Sequence, residues 1–190
     1  VGRGGAAIRS VGMGFTLGAR GALLLMVIPG VGSLIHVYSV CYMEHDTGFA
    51  RFFSYMNFFI FSMLTRVLAA DLVILIIGWA LVALSSYLLI GFWHDRPTAV
   101  AAARKAFITQ VIGDVALVIA AFLIVLNTHT LSLPNIFART AAFPPGGELI
   151  TGICVLLAIG AFAKSAQVPL HTWLPAALEG PTPVQPLTHA

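Results

Sequence analysis

Leu72 to Trp93 reads LVILIIGWALVALSSYLLIGFW, an unbroken run without a charged residue, closed by His94, Asp95, Arg96 and Pro97. About 20 mostly apolar residues wound as a helix cross the roughly 30 Å hydrocarbon layer of a bilayer, so this stretch reads as a spanning helix. Similar runs cover about 21–43 after Arg20 and 52–70 after Arg51. Further runs cover about 106–126 after Arg104 and Lys105, and 149–169. A sixth run begins near 183. These runs are too long for barrel strands and lack their apolar/polar alternation. The expected fold is therefore all-α: a polytopic transmembrane bundle of about five spanning helices, forming a single transmembrane region over 1–190. Asn127 to Glu148 is its one long connector, rich enough in Pro and Gly to be irregular or to lie along the surface.

Composition supports the same class. Of 190 residues 59% are hydrophobic and 9% charged, with a mean hydropathy of +0.96. A soluble domain carries about a quarter charged residues. Ten basic and seven acidic side chains give +3, scattered singly between apolar runs, which excludes a nucleic-acid footprint. Cys41 and Cys154 form no ligand spacing and read as core residues. Gly2–Ala7 satisfies GxGxxA only by letters, since no strand precedes it, and no Walker A loop, HExxH or GxSxG is present. The piece carries no identifiable small-molecule site. Val1 and Ala190 read as cut ends of a longer membrane protein. Arg51, Arg96, Arg104 and Lys105 oppose Arg3, Arg9, Arg20, Arg66 and Arg139 across the bilayer. Charge counting therefore sets no orientation.

An ionised side chain within hydrocarbon costs at least about 2.5–3.5 kcal/mol, so each needs a partner, a water-filled cavity or a function. Lys164 lies deep in the fifth run behind LITGICVLLAIGAFA; it is either a functional cation or the end of a helix snorkelling to the interface. Asp114, in the fourth run behind Gln110, is either its buried partner or a packing acceptor. His36 reads as a satisfied core group, and Arg66 and Asp71 as interfacial groups flanking a turn. Pro29 predicts a kink in the first helix, freeing the Leu25 carbonyl. Five prolines between Pro169 and Pro186 predict that the fifth helix breaks at Pro169. Broken helices at membrane depth occur where freed backbone groups meet protein or water, often at ion paths.

The string AKSAQVPLHTWLPAALEGPTPV, Ala163 to Val184, resembles the lysine-bearing broken helix of the largest antiporter-like membrane subunits of respiratory complex I, the NADH:quinone oxidoreductase subunit L or chain 5 type. GVGSLIHVYSVCYM (30–43), RFFSYMNFFIFSM (51–63), SYLLIGFW (86–93) and RKAF (104–107) with Gly113 and Asp114 follow in the same order. The resemblance covers the chain from about Leu17 onward. It implies a subunit that translocates protons while quinone is reduced elsewhere in the complex. Lys164 would be the buried proton carrier, His189 the histidine that passes the proton on, and Arg104 and Lys105 would face the cytoplasm or matrix. It also implies other complex I membrane subunits and the lipid bilayer as partners. No cofactor would sit in this chain, with NADH, FMN, iron-sulfur clusters and quinone in other subunits. The location would be a bacterial plasma membrane or mitochondrial inner membrane.

The family's GWE motif, whose glutamate pairs with the lysine, reads Gly78, Trp79, Ala80 here. Asp71 cannot replace that acid, because nine helical residues place it on the opposite face about 13.5 Å away; Asp114 is the candidate substitute. Gln110 and Val111 stand where the family has Asn or Thr and Arg, and QPLTHA (185–190) where it has SALIHA. The missing acid keeps open a multisubunit cation/proton antiporter, a membrane-bound hydrogenase, an inorganic-carbon transporter and a non-conducting scaffold.

Overall fold

Eight α-helices and one 3-10 turn carry the chain in a computed structural model that describes residues 14–140, 144 and 146–189, with the side chain of His189 outside that description. The helices are α1 (Ala19–Met43), α2 (Phe49–Val67), α3 (Leu72–Ile90), α4 (Pro97–Thr128), α5 (Leu133–Thr140), α6 (Glu148–Lys164), α7 (Trp173–Ala176) and α8 (Val184–His189), with the 3-10 turn at Ala177–Glu179. The protein is an all-helical membrane protein, with no strand among the described residues. Gly2–Ala7 lies outside them. Of the helices, α1, α3 and α4 are long and apolar enough to cross a membrane. The second helix, with two arginines, and the 17-residue α6 are not among them.

Short links make α2, α3 and α4 run antiparallel. The third helix packs between the other two, α4 continues against α6, and α1 touches α2. Ile35, Phe52, Met56, Phe59, Val82 and Leu89 form the main core, which Val184 and Leu187 of α8 complete. Hydroxyls inside the helices are satisfied within them. Ser39 donates to the Ile35 carbonyl at 2.6 Å, Ser86 to Val82 at 2.8 Å and Thr128 to Ile124 at 2.7 Å. Such back-bonding removes the cost of a lone donor in an apolar bundle.

Several expectations need correction. Helix α6 stops at Lys164, five residues before Pro169, because Ala166 adopts a left-handed conformation with φ of 52°. The Ser165 and Gln167 amides close the last turn onto the Ala161 and Phe162 carbonyls. The prolines follow the break and do not cause it. Cys41 and Cys154 are exposed on the outer surface of the bundle, since their helix positions face away from the core. Asp71 is 4% exposed and caps α3, accepting from the Ile74 amide at 2.9 Å and the Gly14 amide at 3.2 Å. The long connector contains α5 and is tied to the α2–α3 turn through Leu72 N to Leu131 O and Leu133 N to Ala70 O.

At the opposite end a polar clasp joins the α1–α2 and α3–α4 loops. Asp46 accepts from the Trp93 indole at 3.0 Å and from the Gly48 amide at 2.7 Å. The indole bond, then the amide, hold its carboxyl below the ordinary carboxylate value, helped by the Arg51 charge. A depressed native value stabilises the fold above the ordinary carboxylate range, and this contribution is lost as pH falls through the lowered value. Asp46→Asn should cost about 1 kcal/mol at neutral pH and abolish that acid-side contribution. Thermal unfolding in detergent at pH 7 and pH 3 checks it: a variant whose drop between the two matches that of the parent protein would contradict the clasp.

Candidate functional site

The lysine meets α4 near its middle. Gln110 and Asp114 face it from α4, and Asp114 stands 17 residues from the start of that helix and 14 from its end, about 25 and 21 Å at 1.5 Å per residue. The ammonium is thus halfway along the longest helix, at the end of α6.

A close crossing of α4 and α6 brings these groups together. A Cβ on Gly113 would collide with the Ala163 Cβ, and one on Gly160 would meet the Gly113 carbonyl at 3.2 Å. Small residues let two backbones approach in an apolar bundle. Lys164 Nζ then donates to Gln110 Oε1 at 3.1 Å and to the Trp79 carbonyl at 3.2 Å, and stands 3.5 Å from Asp114 Oδ1. The lysine and aspartate side chains are 11% and 17% exposed and Gln110 is buried, so the pair is largely screened from surroundings. Asp114 Oδ1 makes an ion-pair contact but no hydrogen bond, and the Trp79 indole nitrogen nearby also lacks a partner.

Ala80 leaves space where a longer side chain would reach. With Ile76, Trp79, Asp114, Leu117 and Val118 it lines a cavity of about 220 Å³. Arg66, in the last turn of α2, holds its guanidinium 5.1 Å from the indole centroid of Trp79. Gly78 permits this, because a Cβ there would stand 2.6 Å from the Arg66 amide nitrogen. The broken end of α6 is held by Trp173, whose buried indole donates to the Ala163 carbonyl at 2.9 Å.

The structure therefore brings Lys164 and Asp114 together and adds Gln110, Trp79, Arg66 and Trp173, which the sequence reading did not place in the site. A buried Gln one helical turn before an acid was the available signal for Gln110. No local pattern marks a backbone carbonyl such as that of Trp79. His36 is apart from this cluster, its Nδ1 2.7 Å from the Gly32 carbonyl and its Nε2 buried without a partner. His189 closes α8, and its side chain lies outside the described residues.

A lysine held by one carboxylate and two neutral acceptors can gain and lose a proton with little change in packing. Comparison with known proteins identifies the family. Residues 69–190 match the family model described as NADH:quinone oxidoreductase/Mrp antiporter, transmembrane, and residues 7–53 that of NADH-ubiquinone oxidoreductase (complex I), chain 5 N-terminus. The chain is 47% identical over 180 residues to NADH-quinone oxidoreductase subunit L of Mycobacterium tuberculosis, covering 95% of this chain and 28% of that protein. It is 43% identical over 185 residues to the chloroplastic NAD(P)H-quinone oxidoreductase subunit 5 of Brachypodium distachyon, covering 95% and 25%. It thus spans about a quarter of the length of these relatives. Among solved structures, the Mrp complex of Dietzia sp. superposes with a TM-score of 0.85 at 33% identity, over 92% of this chain and 19% of that one. With a family model matched over residues 69–190, the chain belongs to the NADH:quinone oxidoreductase/Mrp antiporter transmembrane family.

Proposed function

We propose that this chain is part of a proton-translocating membrane subunit of an NADH:quinone oxidoreductase, in which Lys164 carries the proton. The observation that carries the reading is the seat of Lys164 Nζ between Gln110, the Trp79 carbonyl and Asp114, halfway along α4. A proton arriving at neutral Lys164 is stabilised by the Asp114 carboxylate, and its departure leaves an amine that the two neutral acceptors still seat. His189, in α8 beyond the break, takes the proton onward. NADH oxidation and quinone reduction belong to other subunits, which with the lipid are the partners of this chain. The host membrane is an energy-conserving one: a bacterial plasma membrane, a mitochondrial inner membrane or, given the relative named as chloroplastic, a plastid one.

A second reading is a subunit of a cation/proton antiporter, favoured by the likeness to the Mrp complex and by the loss of the acid at Ala80. Replacing Asp114 distinguishes the two. In membranes holding the assembled complex, Asp114→Asn should lower protons moved per quinone reduced several-fold while leaving quinone reduction by detergent-released enzyme intact. Unchanged pumping contradicts the assignment. Loss of sodium- or potassium-driven proton exchange, with pumping unaffected, supports the antiporter reading instead.

A further inference from the structure

The last turn of α6, which carries Lys164, is completed from outside its own helix. Ala166 is left-handed, and the Gln167 amide bonds back to the Phe162 carbonyl, past that of Ala163. The Ala163 carbonyl instead accepts the Trp173 indole N–H at 2.9 Å. Both residues are buried. A helix end leaves its last carbonyls without partners, and a buried one needs a donor from elsewhere. Here the donor is seated on α4: Trp173 packs in one cluster with Ile90 of α3 and with Ala102, Ala103 and Ala106 of α4. Ala106, Gln110 and Asp114 follow one another at four-residue spacing in α4, which puts them on one stripe of that helix. The platform of the indole and the two α4 groups that meet Lys164 are therefore parts of one surface.

We propose that Trp173 is a positioning residue for the proton carrier: its indole N–H pins the last turn of α6 in register with α4, and so sets where the Lys164 ammonium reaches. The inference rests on the proton-carrier reading of Lys164. Packing and bonding hold that turn in different ways. Ala163 against Gly113 limits how near α6 comes to α4, but apolar contact is non-directional and leaves rotation free. A hydrogen bond is directional, and this one fixes the carbonyl of the residue immediately before Lys164. Rotation of Ala163 about the helix axis swings Lys164 with it. The ammonium meets Gln110 at 3.1 Å, the Trp79 carbonyl at 3.2 Å and Asp114 Oδ1 at 3.5 Å, contacts that such a swing breaks. Without the N–H, the Ala163 carbonyl is a buried acceptor lacking its donor, and turning it out relieves that cost while unseating the lysine. The bulk of the tryptophan holds α7 against α4, and its single N–H holds the lysine.

The test separates the N–H from the ring, in membranes holding the full assembled complex. The benzothienyl analogue of tryptophan at position 173 keeps the shape and exchanges the N–H for sulfur, whereas a ring-fluorinated tryptophan keeps the N–H. Protons moved per quinone reduced, counted on assembled complex, should fall about tenfold with the benzothienyl side chain, a loss on the scale of a displaced reacting group. The fluorinated side chain should restore the parent ratio. A benzothienyl protein that pumps as the parent does, or a fluorinated one that loses as much, overturns the proposal and leaves Trp173 a packing residue. Should the benzothienyl protein fail to assemble, Trp173→Phe also lacks the N–H and must show the same loss, and a parent ratio there overturns the proposal equally. Lys164→Met keeps the two readings apart: pumping that survives it sinks the carrier reading itself, whereas pumping lost there and kept in the benzothienyl protein sinks this inference alone.

Discussion

Lys164→Met should reduce protons moved per quinone reduced by roughly tenfold or more, the loss expected when a positioned proton-transfer group is removed. Methionine keeps the length and apolar stem of the lysine, so the packing of Ala163 and Trp173 at the end of α6 is left in place. What is lost is the only titratable nitrogen within reach of Asp114 Oδ1 among the described residues. The variant leaves Asp114 without its cation and Gln110 and the Trp79 carbonyl without a donor, which costs several kcal/mol for a buried pair. Combining Lys164→Met with Asp114→Leu removes both charges and should recover the stability without recovering pumping. Pumping assayed by dye quenching, with detergent thermal unfolding alongside, reads both. A double variant that pumps normally would show that protons do not pass through this lysine.

The bundle was largely legible and the site only half so. Long apolar runs fix where helices lie, because the bilayer demands internal hydrogen bonding over about 20 residues. Leu72–Trp93 therefore announces α3 without any tertiary information. The ends are another matter. Helix α4 begins at Pro97, nine residues before the apolar run, because proline is accommodated in the first turn and Ala99, Ala102 and Ala103 pack there. The break after Lys164 depends on a left-handed Ala166 and on a tryptophan ten residues away, which no local pattern declares. Lys164 and Asp114 stood out because charges in hydrocarbon are rare. Arg66 reads as interfacial from its position near a turn, and its seat on Trp79 is set by the close approach at Gly78, which no local pattern declares. Which backbone carbonyl meets an ammonium is decided by helix crossing, and a one-dimensional pattern does not contain it.

Gly113→Leu should be the most damaging uncharged substitution, because it strikes that crossing. The added side chain projects directly at Ala163, the residue before Lys164, and Gly160 lies against the same stretch of α4. The neighbours on this side are backbone and Cβ atoms, with no flexible side chain to move aside, so α6 must shift as a body. Overpacking of this kind costs about 1–3 kcal/mol. The functional loss should exceed what that instability accounts for. Lys164 reaches Gln110 and Trp79 at 3.1 and 3.2 Å, and hydrogen bonds weaken steeply once a displacement of about 1 Å takes them beyond 3.5 Å. Gly113→Ala should fall between Leu and the parent chain, losing the seat of the lysine before it loses the fold. Thermal unfolding and pumping on the two variants check this ordering. If Gly113→Leu assembles and pumps as the parent does, the two helices do not need their close approach, and the ion pair between Asp114 and Lys164 is not what loads the proton.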